Sequence, residues 1–278
     1  MEKNKLTVLD IIKMKAQGRK ISLLTAYDYP MACLLDEAGI DIVLVGDSLG
    51  NVILGQDSTI SVTMDEMIHH TKAVKNGIKK ALLVADMPFM SYNVSIEQTI
   101  INAGKFLKQA GADAVKMEGA NPAVLKMVKA VVDAGIPVMG HIGLTPQTAG
   151  ALGGFKVQGK DAKAAKQILE NALALEKAGC FSIVFECIPD ALSALITKRI
   201  SVPTLGIGAG PYCDGQVLVI HDMLGLTQGF TPKFVKKYAD LAGIIKKAIG
   251  EFIQEVNSKQ FPDKQHSFTI KPEELNDL

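Results

Sequence analysis

Eight apolar runs, each only long enough for one strand, punctuate this chain, and they restrict its fold more than any other feature. They read ISLLTAYD (21–28), DIVLVGD (41–47), KALLVADMP (80–88), DAVKMEG (113–119), IPVMGHIG (136–143), FSIVFEC (181–187), VPTLGIGAG (202–210) and QVLVIHD (216–222). Such short, Val-, Ile- and Leu-rich runs are the mark of strands buried on both faces. Segments with helical spacing separate them. TMDEMIHHTKAVKNG offers Thr63 as N-cap with Glu66 completing a capping box, and it closes on Gly77. SIEQTIINAGKFLKQAG repeats the arrangement with Ser95 and Gln98 and ends at Gly111, while DAKAAKQILENALALEKAG runs from Asp161 to Gly179 with one apolar stripe. After the last run, Phe234, Tyr238, Leu241 and Ile245 recur at helical intervals and predict a long final helix.

Strands alternating with helices imply a parallel sheet, and eight such units imply a closed (β/α)8 TIM barrel rather than an open doubly wound sheet. The segment VLDIIKMKAQGRK predicts an extra N-terminal helix across the bottom of the barrel. A length of 278 residues suits one such domain, placed at 1–261, with a polar C-terminal tail at 262–278 that is either disordered or used in subunit contacts. The Gly-rich loop LTPQTAGALGGFKVQGK (144–160) is too long for a plain connector and reads as a lid.

Lys and Arg number 30 against 29 Asp and Glu, so no basic field is available for nucleic acid or an anionic membrane. No apolar run is long enough to span a bilayer, and the N-terminus lacks the apolar core of a signal peptide. Cys33, Cys180, Cys187 and Cys213 form no C-x-x-C pair, which predicts reduced thiols in a cytoplasmic protein and no zinc signature.

In a (β/α)8 barrel, chemistry is carried at the carboxyl ends of the strands. Those ends bring Asp28, Asp47, Asp86, Lys116 with Glu118, His141, Glu186, and His221 with Asp222. One strand-end acid is readily explained as the N-cap of the next helix, but several from separate strands converging on one mouth indicate a cation site. By alternation, Val43, Val45 and Asp47 share one face of their strand, and Leu82, Val84 and Asp86 share another. All-oxygen ligation suits a hard dication such as Mg²⁺, and Lys116 beside it would meet an anionic substrate. Charge placement alone therefore indicates a metal-assisted reaction on a small anion through an enolate. His141 reads either as a ligand or donor to substrate or as a structural histidine. GIGAGP (206–211) reads either as a phosphate cradle or as a tight strand-to-loop transition.

The motifs TAYDYPMA, DIVLVGDSLGNVILGQDSTISVTMDEMIHHTKAV, ADMPFMSY, VKMEG, VMGHIGLTPQ, FECIP and GIGAGPYCDGQVLVIHDMLG occur in that order between about Leu6 and Ile249. In these the chain resembles the ketopantoate hydroxymethyltransferase family, whose barrel is of the phosphoenolpyruvate/pyruvate-binding type. The resemblance implies transfer of a hydroxymethyl group from 5,10-methylenetetrahydrofolate to the α-keto acid 3-methyl-2-oxobutanoate, in pantothenate synthesis. It further implies Mg²⁺ held by Asp47, Asp86 and Glu118, substrate contacts from Asp47, Ser48, Asp86 and Lys116, and Glu186 as general base. An apolar strand end such as SIVFE is the setting such a base requires. A homo-oligomer, commonly a decamer, is implied too. Two other readings remain open on the residues: a metal-dependent α-keto acid lyase or aldolase of the same barrel superfamily, and a non-catalytic barrel binding a phosphorylated ligand.

Overall fold

All eight apolar runs form strands, each shorter than its run. They are β1 (Ile21–Thr25), β2 (Ile42–Val45), β3 (Leu82–Asp86), β4 (Ala114–Glu118), β5 (Val138–Gly143), β6 (Ser182–Glu186), β7 (Thr204–Ile207) and β8 (Gly215–Leu218). In this computed structural model, which describes residues 4–276, they pair in parallel in chain order, and β8 closes onto β1. The barrel is the one the sequence predicts.

The helices follow from their caps. In α1 (Val8–Ala16) Thr7 and Asp10 form a reciprocal capping box, and α2 (Tyr29–Ala38) starts on Asp28, which accepts the Met31 N–H at 2.8 Å. A short α3 (Leu49–Val52) follows β2, and α4 (Met64–Gly77) carries the predicted Thr63–Glu66 box. Ser95 caps α5 (Ile96–Ala110), Asn121 caps α6 (Pro122–Asp133), and Asp161 caps α7 (Ala162–Ala178), which ends on the left-handed Gly179. Then come α8 (Asp190–Arg199), a four-residue α9 (Ile220–Met223) and α10 (Leu241–Asn257).

The barrel interior is filled by Ile21, Leu23, Ile42, Leu44, Leu82, Val84, Ala114, Met139, Val184, Leu205 and Val217. Ile11 and Met14 of α1 belong to the same buried cluster, so α1 closes the bottom of the barrel as predicted. Ion pairs fasten that end: Lys15 reaches Asp214 at 3.0 Å, Lys5 reaches Asp113 at 2.6 Å, and Arg19 pairs with Asp41.

The described chain divides into two compact units. One runs to Ile220 and includes Thr231–Val235; the other takes His221–Phe230 and the chain from Lys236 onward. Within the second unit, none of the α10 residues is buried, and Phe252 and Phe261 stack edge to face with ring centroids 5.6 Å apart.

Two expectations require correction. His221 and Asp222 lie in α9 rather than on β8, because β8 ends at Leu218 and the Ile220 N–H turns to the Thr25 hydroxyl at 3.0 Å. The final helix begins at Leu241, with Asp240 accepting the Gly243 N–H, and omits Phe234 and Tyr238. The backbone N–H groups of Tyr238 and Leu241 go to the carbonyls of Met223 and Leu224, which commits them outside a helix.

Ile11 is fully buried against the barrel floor. We predict that Ile11→Ala lowers the unfolding free energy by about 2–5 kcal/mol, measured by urea denaturation. An unchanged midpoint would mean that α1 does not contribute to the core.

Candidate active site

Register sets the site before any side-chain contact does. Across β3 and β4, Asp86 stands opposite Lys116; across β4 and β5, Glu118 stands opposite His141; across β5 and β6, Gly143 stands opposite Glu186. The Asp86, Lys116, Glu118, His141 and Glu186 side chains continue the inward-facing rows above the apolar core, as period-two alternation requires.

Asp47 arrives by another route, which corrects the alternation reading. Ile42 and Leu44 are the core residues of β2, so Val43 and Val45 lie on its other face, and β2 ends before Asp47. Gly46 makes the turn: a Cβ there would stand 2.7 Å from Ser48 Oγ and 3.5 Å from Asp86 Oδ2. The Asp47 backbone N–H donates to Asp86 Oδ2 at 3.1 Å, which brings the two acids side by side.

Lys116 Nζ lies 3.0 Å from Asp86 Oδ1 and 3.6 Å from Glu118 Oε1. His141 bridges two acids, with Nδ1 3.3 Å from Glu118 Oε1 and Nε2 3.1 Å from Glu186 Oε2. Asp47, Asp86, Lys116, Glu118 and His141 are all buried; the Glu186 side chain, 15% exposed, is the least covered. Half-buried Ser48 is held through its hydroxyl, 2.8 Å from the Tyr27 hydroxyl, and His70 Nδ1–H donates to the Tyr27 carbonyl at 2.7 Å. Asp47, Ser48, Asp86, Lys116, Glu118, His141 and Glu186 line a cavity of about 150 Å³ whose apolar wall includes Leu44, Val184, Ile207 and Val217.

Burial and the neighbouring Asp86 and Glu118 charges push the Asp47 carboxyl well above the ordinary carboxylate range. Burial also raises Asp86, against the pull of Lys116. Burial alone would depress Lys116, but Asp86, Glu118 and Asp47 hold it above its usual value, so it is protonated. Glu118 is lowered because His141 and Lys116 outweigh its burial. Burial and Lys116 push His141 down, but Glu118 and the bonds to Glu118 and Glu186 carry it up to about 9.

If every carboxylate is ionised, four acids face two cations, Lys116 and the His141 imidazolium, which leaves two negative charges without partners. That excess fits a dication. Among the described residues no three Asp, Glu, His or Cys side chains converge as a ready-made cage. The donor set suits a hard ion held through one or two carboxylates, with water and a ligand completing its shell.

The remaining candidates fall outside the cluster. Asp28 is the exposed cap of α2. The glycines of GIGAGP are explained by close approach, since a Cβ on Gly208 would meet the Phe234 ring at 2.8 Å and one on Gly210 would meet Asp190 Cβ at 2.3 Å. The loop 144–160 splits in two: Gln147, on the turn Pro146–Thr148, is buried among the acids, whereas Phe155 lines the cavity with its ring largely exposed. Sequence reasoning missed Gln147 and Tyr92, because uncharged residues beyond strand ends give no periodic signal. A Pro-Gln pair immediately after a site-bearing strand was the one available hint.

With this geometry in place, comparison with known proteins decides the family. A sequence profile described as ketopantoate hydroxymethyltransferase matches residues 5–264. The chain belongs to the ketopantoate hydroxymethyltransferase family. It is 57% identical over 272 residues to the 3-methyl-2-oxobutanoate hydroxymethyltransferase of Carboxydothermus hydrogenoformans, covering 98% of both chains. It is 58% identical over 269 residues to that of Heliobacterium modesticaldum, covering 97% of both. Among solved structures, the barrel resembles phosphoenolpyruvate phosphomutase from Streptomyces platensis subsp. rosaceus, with TM-score 0.61, 15% identity, and coverage of 91% of this chain and 88% of that one. It also resembles 2,3-dimethylmalate lyase, a member of the PEP mutase/isocitrate lyase superfamily, with TM-score 0.60, 13% identity, and coverage of 97% and 94%. At such identities the likeness shows the fold alone, and it bears out the expected (β/α)8 barrel. No described helix of this family member is long and apolar enough to cross a membrane.

In the metal-free protein, proton NMR should show His141 titrating near pH 9 rather than at the ordinary 6.5. Because the folded value is raised, the stability it contributes is complete below about pH 6.5 and is lost as pH rises through about 9. Urea unfolding of wild type and His141→Asn at neutral pH and above pH 9 measures that loss; equal differences at both would contradict the ion-paired imidazolium.

Proposed function

We propose that the chain transfers a hydroxymethyl group from 5,10-methylenetetrahydrofolate to 3-methyl-2-oxobutanoate through a Mg²⁺-stabilised enolate, giving 2-dehydropantoate. The observation that carries this reading is the charge imbalance at the mouth: buried acids from β3, β4 and the turn after β2 share one lysine, beside a partly open carboxylate on β6. Relatives named 3-methyl-2-oxobutanoate hydroxymethyltransferase, matched over 97–98% of both chains, support the hydroxymethyl transfer in it.

Asp47 and Asp86 are the carboxylates that would hold the cation, with Glu118 belonging to its surrounding shell. Bound there, a dication supplies Lewis-acid polarisation of the keto oxygen, worth several kcal/mol as charge develops. Asp47, raised by burial and its acidic neighbours, would release its proton when a cation replaces that repulsion. Lys116 and the Ser48 hydroxyl, fixed by Tyr27, would orient the substrate carboxylate. Glu186, partly exposed and held by His141 Nε2, would remove the proton from C3. Water would open both carbon–nitrogen bonds of the folate methylene, leaving tetrahydrofolate and a one-carbon unit at the formaldehyde level. The enolate carbon would bond to that carbon, and its oxygen would take up a proton to become the hydroxyl. A cavity of about 150 Å³ is sized for the keto acid; the larger folate would extend past its mouth. A cytoplasmic location and a decameric assembly accompany this reading as expectations from the family resemblance.

Deuterium exchange at C3 of 3-methyl-2-oxobutanoate, followed by NMR with Mg²⁺ and without folate, tests the base. Glu186→Gln should slow exchange by about 10²–10⁴-fold, while wild type exchanges only when metal is present. Metal-dependent exchange that persists in Glu186→Gln removes Glu186 as the base. Product formation without any folate donor would favour a lyase-type reaction instead.

A further inference from the structure

Gln147 carries no charge and lies outside the strands, yet it touches two of the three buried carboxylates. Its side-chain Nε2 donates to Asp47 Oδ2 at 2.9 Å and to the Met87 carbonyl at 2.9 Å. Its backbone N–H donates to Glu118 Oε2 at 3.1 Å. The Tyr92 hydroxyl donates to Gln147 Oε1 at 2.7 Å and accepts the Glu118 backbone N–H at 3.2 Å.

This network permits one amide orientation. Nε2 faces a carboxylate and a carbonyl, both acceptors, while Oε1 receives a hydroxyl proton; a flipped amide would set its oxygen against both acceptors. Lys116 pairs with Asp86 and Glu118 and lies 3.2 Å from His141 Nδ1, whereas the side-chain donor to the Asp47 carboxylate is the neutral Gln147 amide. A neutral donor fixes direction without cancelling the negative charge that a cation would use. Gln147 and Tyr92 are both about 2% exposed, so water cannot readily replace either.

We propose that Gln147 is a positioning residue for a divalent-cation site: its side-chain amide, pinned by Tyr92, aims the Asp47 carboxylate, and its backbone N–H aims Glu118. The inference rests on the cation reading given under Proposed function and adds the residue that orients the ligands. Groups that orient metal-binding side chains typically change affinity by about 10–100-fold when removed.

The test is Mn²⁺ binding by the full chain without keto acid or folate, read from the electron paramagnetic resonance signal of free Mn²⁺. Gln147→Met keeps a similar volume and removes the amide; it should weaken Mn²⁺ binding by about 10–100-fold. Tyr92→Phe keeps the ring and frees the amide to flip; it should weaken binding in the same direction by less. Wild-type affinity in Gln147→Met overturns the proposal. If that variant does not fold, Tyr92→Phe decides, and unchanged affinity there overturns it. No saturable Mn²⁺ binding by wild type removes the cation site itself, and this proposal with it, which separates the two failures.

Discussion

The charge shortage at the top of the barrel is the constraint on which the rest of the site depends. Burying a carboxylate is costly unless a cation or a set of donors compensates. At the barrel bottom Asp41 pairs with Arg19, Asp113 with Lys5 and Asp214 with Lys15, and buried Asp36 is held by the Lys80 and Ala81 backbone N–H groups. At the top, Lys116 is shared between Asp86 and Glu118, while Asp47 is held by a neutral amide. Both ends of the barrel carry acids, but at the bottom ion pairs and backbone N–H groups hold them separately, whereas at the top Asp47, Asp86 and Glu118 crowd around one another and Lys116. That difference separates acids that fasten the fold from acids crowded together at the candidate site.

The ladder that makes the barrel also delivers the chemistry. Asp86, Lys116, Glu118, His141 and Glu186 sit on consecutive strands, in inward rows whose lower members are core residues. A one-residue slip of β4 would carry Lys116 and Glu118 to the outer face and bring Val115 and Met117 inward. Apolar packing below and ionic pairing above therefore select the same register, and each makes the other error-resistant.

This division explains what the sequence made legible. Strand number, closure, the α1 floor and the strand-borne ionisable residues all follow from periodicity and from the position of charge along apolar runs. Asp47 was found on faulty geometry: it reaches the mouth by the Gly46 turn rather than by alternation. His141 was left between two readings because one histidine on an apolar strand has no local signature; its role depends on Glu118 and Glu186, distant in the chain. The start of α10 escaped for a related reason. Phe234 and Tyr238 have helical spacing, but pairing of the Tyr238 and Leu241 N–H groups with residues 223 and 224 takes precedence over local pattern.

Gln147 shows where reading charge along strands stops being enough. Ladder hydrogen bonds fix where a strand residue points, but a residue on a loop is fixed only by the groups it touches, and those come from β2, β3 and β4 ends far away in sequence. The same distinction bounds what fold likeness can say. Solved barrels sharing 13–15% of residues reproduce the ladder and hence the location of the mouth. Which side chains occupy the rim, and which neutral groups aim them, is a property of the particular sequence. For this chain the family is therefore given by relatives at 57–58% identity, and the barrel alone supplies only the place where such a fold carries its site.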